Sequence, residues 1–246
     1  MSVEPQSAHR AAAEDPDLLA LPPASALIVD LDGTLVDTVG TRIDAWATAL
    51  RHAGVPVERS DVAPLIGSDG RRLARDLATR YGRPIDHMRA EEIDREAGRL
   101  FDLLNKDPAP LPGASALLRT AEALGLPWAI ATSSRPEQVV ASIRALELDK
   151  VPVVIDGSHV ASAKPAPDLF LRAAEALGVA APGCWCVGDS TWDMRAAAAA
   201  NMIGIGVTSG TATGEELYAA GGQVVIRSLD ILVAGLRPAS SSDAAI

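Results

Sequence analysis

The chain has 246 residues, of which 48% are hydrophobic and 22% charged, and its formal net charge at neutral pH is −10. Nucleic acids and anionic membranes bind basic surfaces, so this charge argues against both as partners. No stretch is apolar for long enough to span a membrane, and the N-terminus has no signal-peptide pattern. The two cysteines indicate no disulfide framework. We therefore expect a cytoplasmic protein.

The chain begins with residues 1–23, rich in alanine, proline and acids, where we predict a mobile tail. The apolar run Ala26–Val29 then predicts a buried strand. Asp30 and Asp32 follow it, and alternate side chains of an extended segment point the same way. Gly33 permits a sharp turn after them. Two converging carboxylates repel each other unless a cation lies between them. Mg²⁺ is commonly held by carboxylate and phosphate oxygens, so the motif indicates phosphoryl chemistry.

Helical periodicity dominates residues 38–110, which contain almost no strand-like runs. Apolar residues recur at helical spacing over Thr41–Ala53, Arg71–Tyr81 and Met88–Asn105. Each run ends near a glycine or a proline, which are typical helix stops. We therefore predict an all-helical segment that is inserted into the chain after the first strand.

From Leu111 onward, short strand-like runs alternate with helical runs. The predicted strands are Trp128–Ala131, Val151–Ile155, Cys184–Val187, Ile203–Val207 and Gln223–Ile226. The predicted helices are Ala114–Leu124, Pro136–Leu146, Pro167–Leu177, Trp192–Ala200 and Gly214–Ala220. Such alternation predicts an α/β fold, a parallel sheet with helices on both faces. Because ligands bind beyond the carboxyl ends of such strands, Asp30, Thr132 and Asp189 are expected to meet in one crevice.

Four short motifs follow one another in the order found in the haloacid dehalogenase superfamily, which the chain resembles over roughly residues 26–236. They are Asp30-x-Asp32-Gly33-Thr34, a hydroxyl residue ending the next strand at Thr132, the lysine Lys164, and Gly188-Asp189-x-x-x-Asp193. The resemblance implies a Rossmann-like core of residues 24–37 and 111–237. It also implies a helical cap of subclass I over residues 38–110, with a further tail at residues 238–246.

The resemblance also implies a Mg²⁺-dependent phosphatase that forms an aspartyl phosphate. Asp30 would be the nucleophile, and Asp32 would be the general acid and then the general base. The metal would take an oxygen of Asp30, the backbone carbonyl of Asp32 and the carboxylate of Asp189. Asp193, on the same helical face as Asp189, would hold Lys164 or a metal-bound water.

The phosphoryl oxygens would be bound by Gly33, Thr132, the backbone amide of Ser133 and Lys164. Each residue alone has a simpler interpretation, since Thr132 could cap a helix and Lys164 could lie in a solvated loop. Their joint occurrence in this order favours an active site.

Within the superfamily, Asp32 disfavours dehalogenases and phosphonatases, which lack this aspartate. A β-phosphoglucomutase-like transferase is the nearer alternative. Those mutases usually carry a histidine four residues before a tryptophan of the first cap helix, whereas here Arg42 precedes Trp46. They also often depart from threonine in the first motif, where this chain has Thr34. A phosphatase is therefore favoured over a mutase.

The loop Ile66–Arg72 resembles the cap loop that faces the active site in phosphoglycolate and sugar phosphatases. Arg71 or Arg72 could pair with an anionic group of the substrate, or both could form the exposed first turn of a helix. The expected partner is a small phosphate ester, phosphoglycolate-like or a sugar phosphate. A binding protein of the same fold without turnover and a phosphatase of phosphoproteins stay open as alternatives. A monomer or weak homodimer is the default.

Two residues that invite a metal or redox interpretation are Cys184 and Cys186. Spaced by one residue in a strand, they face the same side, and no other ligand cluster is near in sequence. Because free cysteine is among the most buried residue types, we predict that both pack in the core. His159 is predicted to be a surface loop residue.

Overall fold

The computed structural model describes residues 16–238, and within them six parallel strands form one sheet. The strands are β1 Ala26–Val29, β2 Trp128–Ala131, β3 Val153–Ile155, β4 Cys184–Gly188, β5 Ile203–Val207 and β6 Val224–Ile226. Their spatial order is β3-β2-β1-β4-β5-β6, so β1 lies at the centre between β2 and β4. This is the strand order of a doubly wound α/β fold, which confirms the predicted fold class.

The helices of the sheet portion flank these strands, and all but the first and last have approximately the predicted bounds. They are α1 Pro16–Ala20, α6 Ala114–Ala123, α7 Pro136–Ala145, α8 Asp168–Leu177, α9 Thr191–Ala199, α10 Gly214–Ala219 and α11 Leu229–Gly235. A 3₁₀ turn at Ala181–Gly183 precedes β4. Among the described residues, none of the helices is both long and apolar enough to cross a membrane.

The side chains of β1 show why the sheet is covered on both faces. Leu27 and Val29 belong to one buried cluster, whereas Ala26 and Ile28 belong to the cluster on the opposite side. All four side chains are fully buried. A strand whose alternate residues are buried on both faces has an uninterrupted apolar sequence, as the run at Ala26–Val29 has.

Four helices lie between β1 and α6 in the chain and bury an apolar cluster of their own. They are α2 Val39–His52, α3 Arg59–Val62, α4 Gly70–Arg80 and α5 His87–Leu104, with a 3₁₀ turn at Ala63–Leu65. The cluster includes Trp46, Leu50, Leu73, Leu77 and Ile93. These inserted helices therefore have a packing core separate from the two clusters of the sheet.

Cys184 and Cys186 are free and fully buried in the cluster that contains Ala26 and Ile28. The Cys186 thiol donates a hydrogen bond to the sulfur of Met202, 3.3 Å away. Burial raises the pKa of both thiols above the ordinary value, which disfavours the reactive thiolate. The prediction that these cysteines pack in the core is confirmed.

The helix α1 corrects the prediction of a mobile tail for the part of that segment that the structure describes. Leu18 is fully buried in the main cluster and packs against α11, where a Cβ added to Gly235 would lie 2.4 Å from Leu18 Cδ2. Residues 1–15 of the predicted tail, and residues 239–246 of the second one, lie outside the described residues.

We expect Leu18→Ala to lower the free energy of unfolding by about 2–4 kcal/mol, because it removes a fully buried leucine from the core. Urea unfolding measures this difference. The control is Leu19→Ala on the same helix, where the leucine is 41% exposed and the change should stay within about 0.5 kcal/mol. Equal effects of the two substitutions would show that α1 does not dock as described.

Candidate active site

Three buried polar residues meet beyond the carboxyl ends of adjacent strands. Asp30 follows β1, Thr132 follows β2 and Asp189 follows β4, and each is at most 7% exposed. The backbone N–H of Asp30 donates to Val187 O at 2.9 Å, and that of Thr132 donates to Ile155 O at 2.9 Å. Because the sheet's own hydrogen bonds continue into these residues, their positions are set by the strands.

Lys164 lies at the centre of the site and is fully buried. Its Nζ donates to Asp30 Oδ1 at 2.5 Å and to the Ala131 carbonyl at 2.8 Å, and it forms an ion pair with Asp193 Oδ1 at 2.7 Å. A solvated loop lysine is thereby excluded. The contact with Asp193 is one of the two roles that the resemblance implies for that residue.

Asp193 is positioned by the start of α9. Ser190 is the N-cap residue, and its backbone N–H and hydroxyl donate to Asp193 Oδ2 at 3.1 and 2.5 Å. This capping box turns the other oxygen of Asp193 toward Lys164. The helix begins at Thr191, after Asp189, so the prediction that Asp189 and Asp193 share a helical face is wrong. The two carboxylates converge because Asp189 ends the strand instead.

The buried charges do not balance. Oxygen atoms of Asp30, Asp189 and Asp193 lie within 4.8 Å of one another, and Lys164 is the cation within this group. Burial, and then the neighbouring charges of Asp193 and Asp32, raise the pKa of Asp30 to about 7 against the opposing effect of Lys164. Burial and the charges of Asp30 and Asp193 raise the pKa of Asp189 well above its ordinary value. Although burial opposes it, the two carboxylates raise the pKa of Lys164.

This excess of buried negative charge fits a divalent cation. Asp189 Oδ1 accepts a hydrogen bond from Thr34 Oγ1 at 2.9 Å, which fixes the carboxylate. Its other oxygen lies against backbone, since a Cβ added to Gly210 would approach Asp189 Oδ2 to 1.9 Å and one added to Gly33 to 2.5 Å. Gly33 also has a backbone φ of 89°, a conformation that residues with a side chain rarely adopt. A side chain at either glycine would collide with the carboxylate of Asp189. Both positions must therefore be glycine for Asp189 to keep this place.

The carboxylate of Asp32 is not part of this acidic cluster. Its Oδ1 accepts from Thr38 Oγ1 at 2.7 Å, and its Oδ2 accepts from Arg42 Nη2 and from Ser134 Oγ, each at 2.7 Å. Thr38 and Arg42 belong to the start of α2, whereas Ser134 precedes α7. The side chain of Asp32 is thus held between the inserted helices and the sheet.

Arg42 is a residue of the site that the sequence analysis does not predict. The sequence marks it only as a departure from the mutase pattern. One signal was available, because Thr38 is the N-cap residue of α2 and Arg42 lies four residues further on, one turn into the helix. That they face Asp32 depends on the packing of α2 and α7, which no local pattern contains.

A loop of the inserted segment covers the site. The hydroxyl of Ser133 donates to Gly67 O at 3.0 Å, and the backbone N–H of Asp69 donates to Lys164 O at 3.0 Å. On the other side, Trp192 Nε1 donates to Pro64 O at 3.1 Å. The cavity that remains beside Asp30 and Thr132 has a volume of about 50 Å³, enough for a few water molecules.

Arg71 and Arg72 lie outside this cavity. Arg71 pairs with Asp69, Nη2 to Oδ2 at 2.8 Å, and lines a neighbouring cavity of about 140 Å³. Arg72 pairs with Asp76 on the exposed side of α4 and stacks over Trp192, 5.2 Å from the ring centre. The structure therefore does not bring either arginine to Asp30. His159 is an exposed residue paired with Asp156.

We expect Lys164→Met to lower the free energy of unfolding by about 3–5 kcal/mol, because it leaves Asp30 and Asp193 buried without their cation. Urea unfolding in EDTA measures the difference without compensation by a metal ion. Lys106→Met, at an exposed lysine, is the control and should change stability by less than about 0.5 kcal/mol. Matching unfolding midpoints for the two variants would argue against the described ion pairs.

Comparisons with known proteins show which family the chain is similar to. A family model described as haloacid dehalogenase-like hydrolase matches residues 24–201. The probable phosphatase IndB of Dickeya dadantii is 32% identical over 211 residues, 84% of this chain and 91% of that protein. Phosphoglycolate phosphatase of Escherichia coli is 32% identical over 228 residues, 84% of this chain and 90% of that protein.

Among solved structures, a hydrolase from Pseudomonas syringae is similar with a TM-score of 0.81 and 34% identity. The similarity covers 84% of this chain and 95% of that one. The region that the family model matches contains Asp30, Asp32, Thr132, Lys164, Asp189 and Asp193.

Proposed function

Since the chain belongs to the haloacid dehalogenase-like hydrolases, we propose that it removes the phosphoryl group from a small phosphorylated metabolite through an aspartyl phosphate, with Mg²⁺ as its metal. It is a phosphoric monoester hydrolase of that family. The observation that carries the mechanism is the buried Asp30 carboxylate, paired with Lys164 at 2.5 Å beside two further buried carboxylates. Such a group is held in place and is surrounded by the charges that phosphoryl transfer requires.

In the first step, an oxygen of Asp30 attacks phosphorus and the bond to the leaving oxygen breaks. Asp32 gives its proton to that oxygen, so the alcohol departs neutral. In the second step, Asp32 takes a proton from water, the water oxygen attacks phosphorus, and the bond to Asp30 breaks to release inorganic phosphate. Asp30 and Asp32 both line the cavity beside Thr132, which supports their acting on one phosphorus atom.

The metal would be held by the carboxylates of Asp30 and Asp189 and by the backbone carbonyl of Asp32. When bound, the cation would neutralise charge on the phosphoryl oxygens. Lys164 neutralises further charge at Asp30, and Asp193 keeps the lysine in place. Asp193 thus acts through Lys164 and does not itself touch the substrate.

The phosphoryl oxygens are bound by Thr132, the backbone amide of Ser133 and Lys164, with Gly33 giving backbone access. In support, Thr132 Oγ1 accepts from the backbone N–H of Ser134 at 3.1 Å, which fixes the rotamer of the hydroxyl and leaves its proton for an acceptor in the cavity. The residue is 1% exposed and lies one strand away from Asp30.

We further propose that residues 38–110 act as a cap on a core of residues 24–37 and 111–237. The loop at Gly67 covers the cavity of about 50 Å³, which supports entry of the ester through a movement of the inserted helices. A cover of this kind favours small esters, such as a phosphoglycolate-like compound or a sugar phosphate, over a phosphorylated protein chain.

Phosphate release from a panel of small esters, measured with Mg²⁺, tests this proposal. Release of inorganic phosphate from at least one ester is the expected result. If the enzyme were instead a mutase, β-glucose 1-phosphate would give glucose 6-phosphate and little inorganic phosphate. Absence of both products would contradict the hydrolase and favour a binding protein of the same fold.

A further inference from the structure

The guanidinium of Arg42 crosses from the inserted helices to the sheet. Its Nη2 donates to Asp32 Oδ2 at 2.7 Å and to Ser134 Oγ at 2.5 Å, and its Nη1 donates to Gln138 Oε1 at 3.1 Å. The guanidinium carbon lies over the ring of Phe101, 3.6 Å from the ring centre. Arg42 is only 8% exposed. Arginines held in this way are suited to binding planar anions such as carboxylates.

One nitrogen of this guanidinium has no partner. Within the described residues, the buried Nε of Arg42 has no hydrogen-bond partner. A buried donor without an acceptor costs free energy, and an arginine has five donors arranged for a forked contact. An incoming carboxylate or phosphate would supply the missing acceptor.

The present partner of Arg42 is needed elsewhere in the proposed reaction. Both oxygens of Asp32 are occupied, Oδ1 by Thr38 and Oδ2 by Arg42 and Ser134. Asp32 has to reach the leaving oxygen of the ester to serve as its acid, at about 2.6–3.2 Å. The substrate must therefore replace at least one of these contacts when it enters.

The other cations near the site do not face this conflict. Lys164 pairs with Asp30 and Asp193, Arg71 with Asp69, and Arg135 with Asp94 and Glu91. In the part of the chain that the structure describes, Asp32 is the one carboxylate within ion-pair distance of Arg42. Arg42 is thus the cation that loses its carboxylate partner, Asp32, when Asp32 turns to the leaving oxygen.

We propose that Arg42 determines substrate specificity by binding an anionic group of the leaving alcohol, a carboxylate or a second phosphate, in exchange for its contact with Asp32. This inference rests on the proposed function and names its substrate class. Because Arg42 already lies 2.7 Å from the carboxylate that must meet the leaving oxygen, the anionic group lies within about one or two carbons of the ester carbon. A neutral leaving alcohol cannot replace Asp32 as the partner of Arg42, so Asp32 stays paired with the arginine.

Two esters of equal carbon number test the proposal, 2-phosphoglycolate with a carboxylate and 2-hydroxyethyl phosphate without one. We expect the native enzyme to prefer the carboxylate ester about 10- to 100-fold in kcat/KM, the range of a charged hydrogen bond. Arg42→Gln should bring the ratio of kcat/KM between the two esters close to one, because glutamine has no positive charge for the carboxylate. Arg42→Lys, which keeps the charge but not the fork, should retain a reduced preference.

The control is Arg51→Gln, an exposed arginine on the same helix, which should leave the ratio between the two esters unchanged. An equal loss on both esters in Arg42→Gln, or no preference in the native enzyme, would overturn the inference. If Arg42→Gln does not fold, an unchanged ratio in Arg42→Lys overturns it equally. Failure of the native enzyme to release phosphate from any ester would instead refute the proposed function.

Discussion

Asp30→Asn is expected to lower phosphate release by about 10⁴-fold or more, because an amide cannot form the covalent intermediate and loss of a nucleophile has effects of this order. The fold should persist, since Lys164 keeps its contacts with Asp193 and the Ala131 carbonyl. Initial rates on the best ester of the panel measure the loss, and thermal melting checks the fold.

The matched control for this substitution is Asp37→Asn. Asp37 lies seven residues further along the same loop region, and it is exposed. Its replacement should change the rate less than about twofold, since surface substitutions rarely disturb structure. More than a trace of turnover in Asp30→Asn, with protein free of native enzyme, would assign the nucleophile to another group.

Removal of the metal with EDTA is expected to stop turnover and to lower the melting temperature, and Mg²⁺ should restore both. The physical reason is the group of three buried carboxylates facing one lysine. At a concentration 100 times its dissociation constant, a bound ion stabilises the folded state by about 2.7 kcal/mol. For a chain of this size, that corresponds to a rise in melting temperature of roughly 5–10 °C.

Asp189→Asn separates this effect from non-specific binding. The variant should show no rise in melting temperature with Mg²⁺, because it lacks the carboxylate that lies against Gly33 and Gly210. In EDTA it should be at least as stable as the native protein, since it carries one buried charge less. Equal rises in both proteins would place the cation elsewhere, and full turnover in EDTA would exclude a metal requirement.

The central strands could be predicted from the sequence because both of their faces are buried. Such strands have unbroken apolar sequences, and the bounds of β1, β2 and β5 are those predicted. The short helices α1, α3 and α11 were not predicted, because segments of four to seven residues are held by packing more than by their own propensity. Leu18 in α1 shows this, since it is buried by contact with Gly235 far along the chain.

The sequence predicts those residues of the site that lie at strand ends or within the four motifs. The structure brings Asp30, Thr132, Lys164, Asp189 and Asp193 together. Arg42 could not be found in this way, because its role depends on a contact between α2 and the sheet that forms only in the folded chain. Arg71 and Arg72 show the reverse case, where a basic pair in a suggestive loop faces its own acids instead.

The hydrogen bond from Trp192 to Pro64 joins an indole of the sheet portion to the inserted segment. The indole is 6% exposed, with Arg72 and Arg195 stacked against it. Movement of the inserted helices away from the sheet would break this bond and expose the ring to water. Since indole emission shifts to longer wavelength in water, the chain carries its own optical reporter of opening, without an added dye.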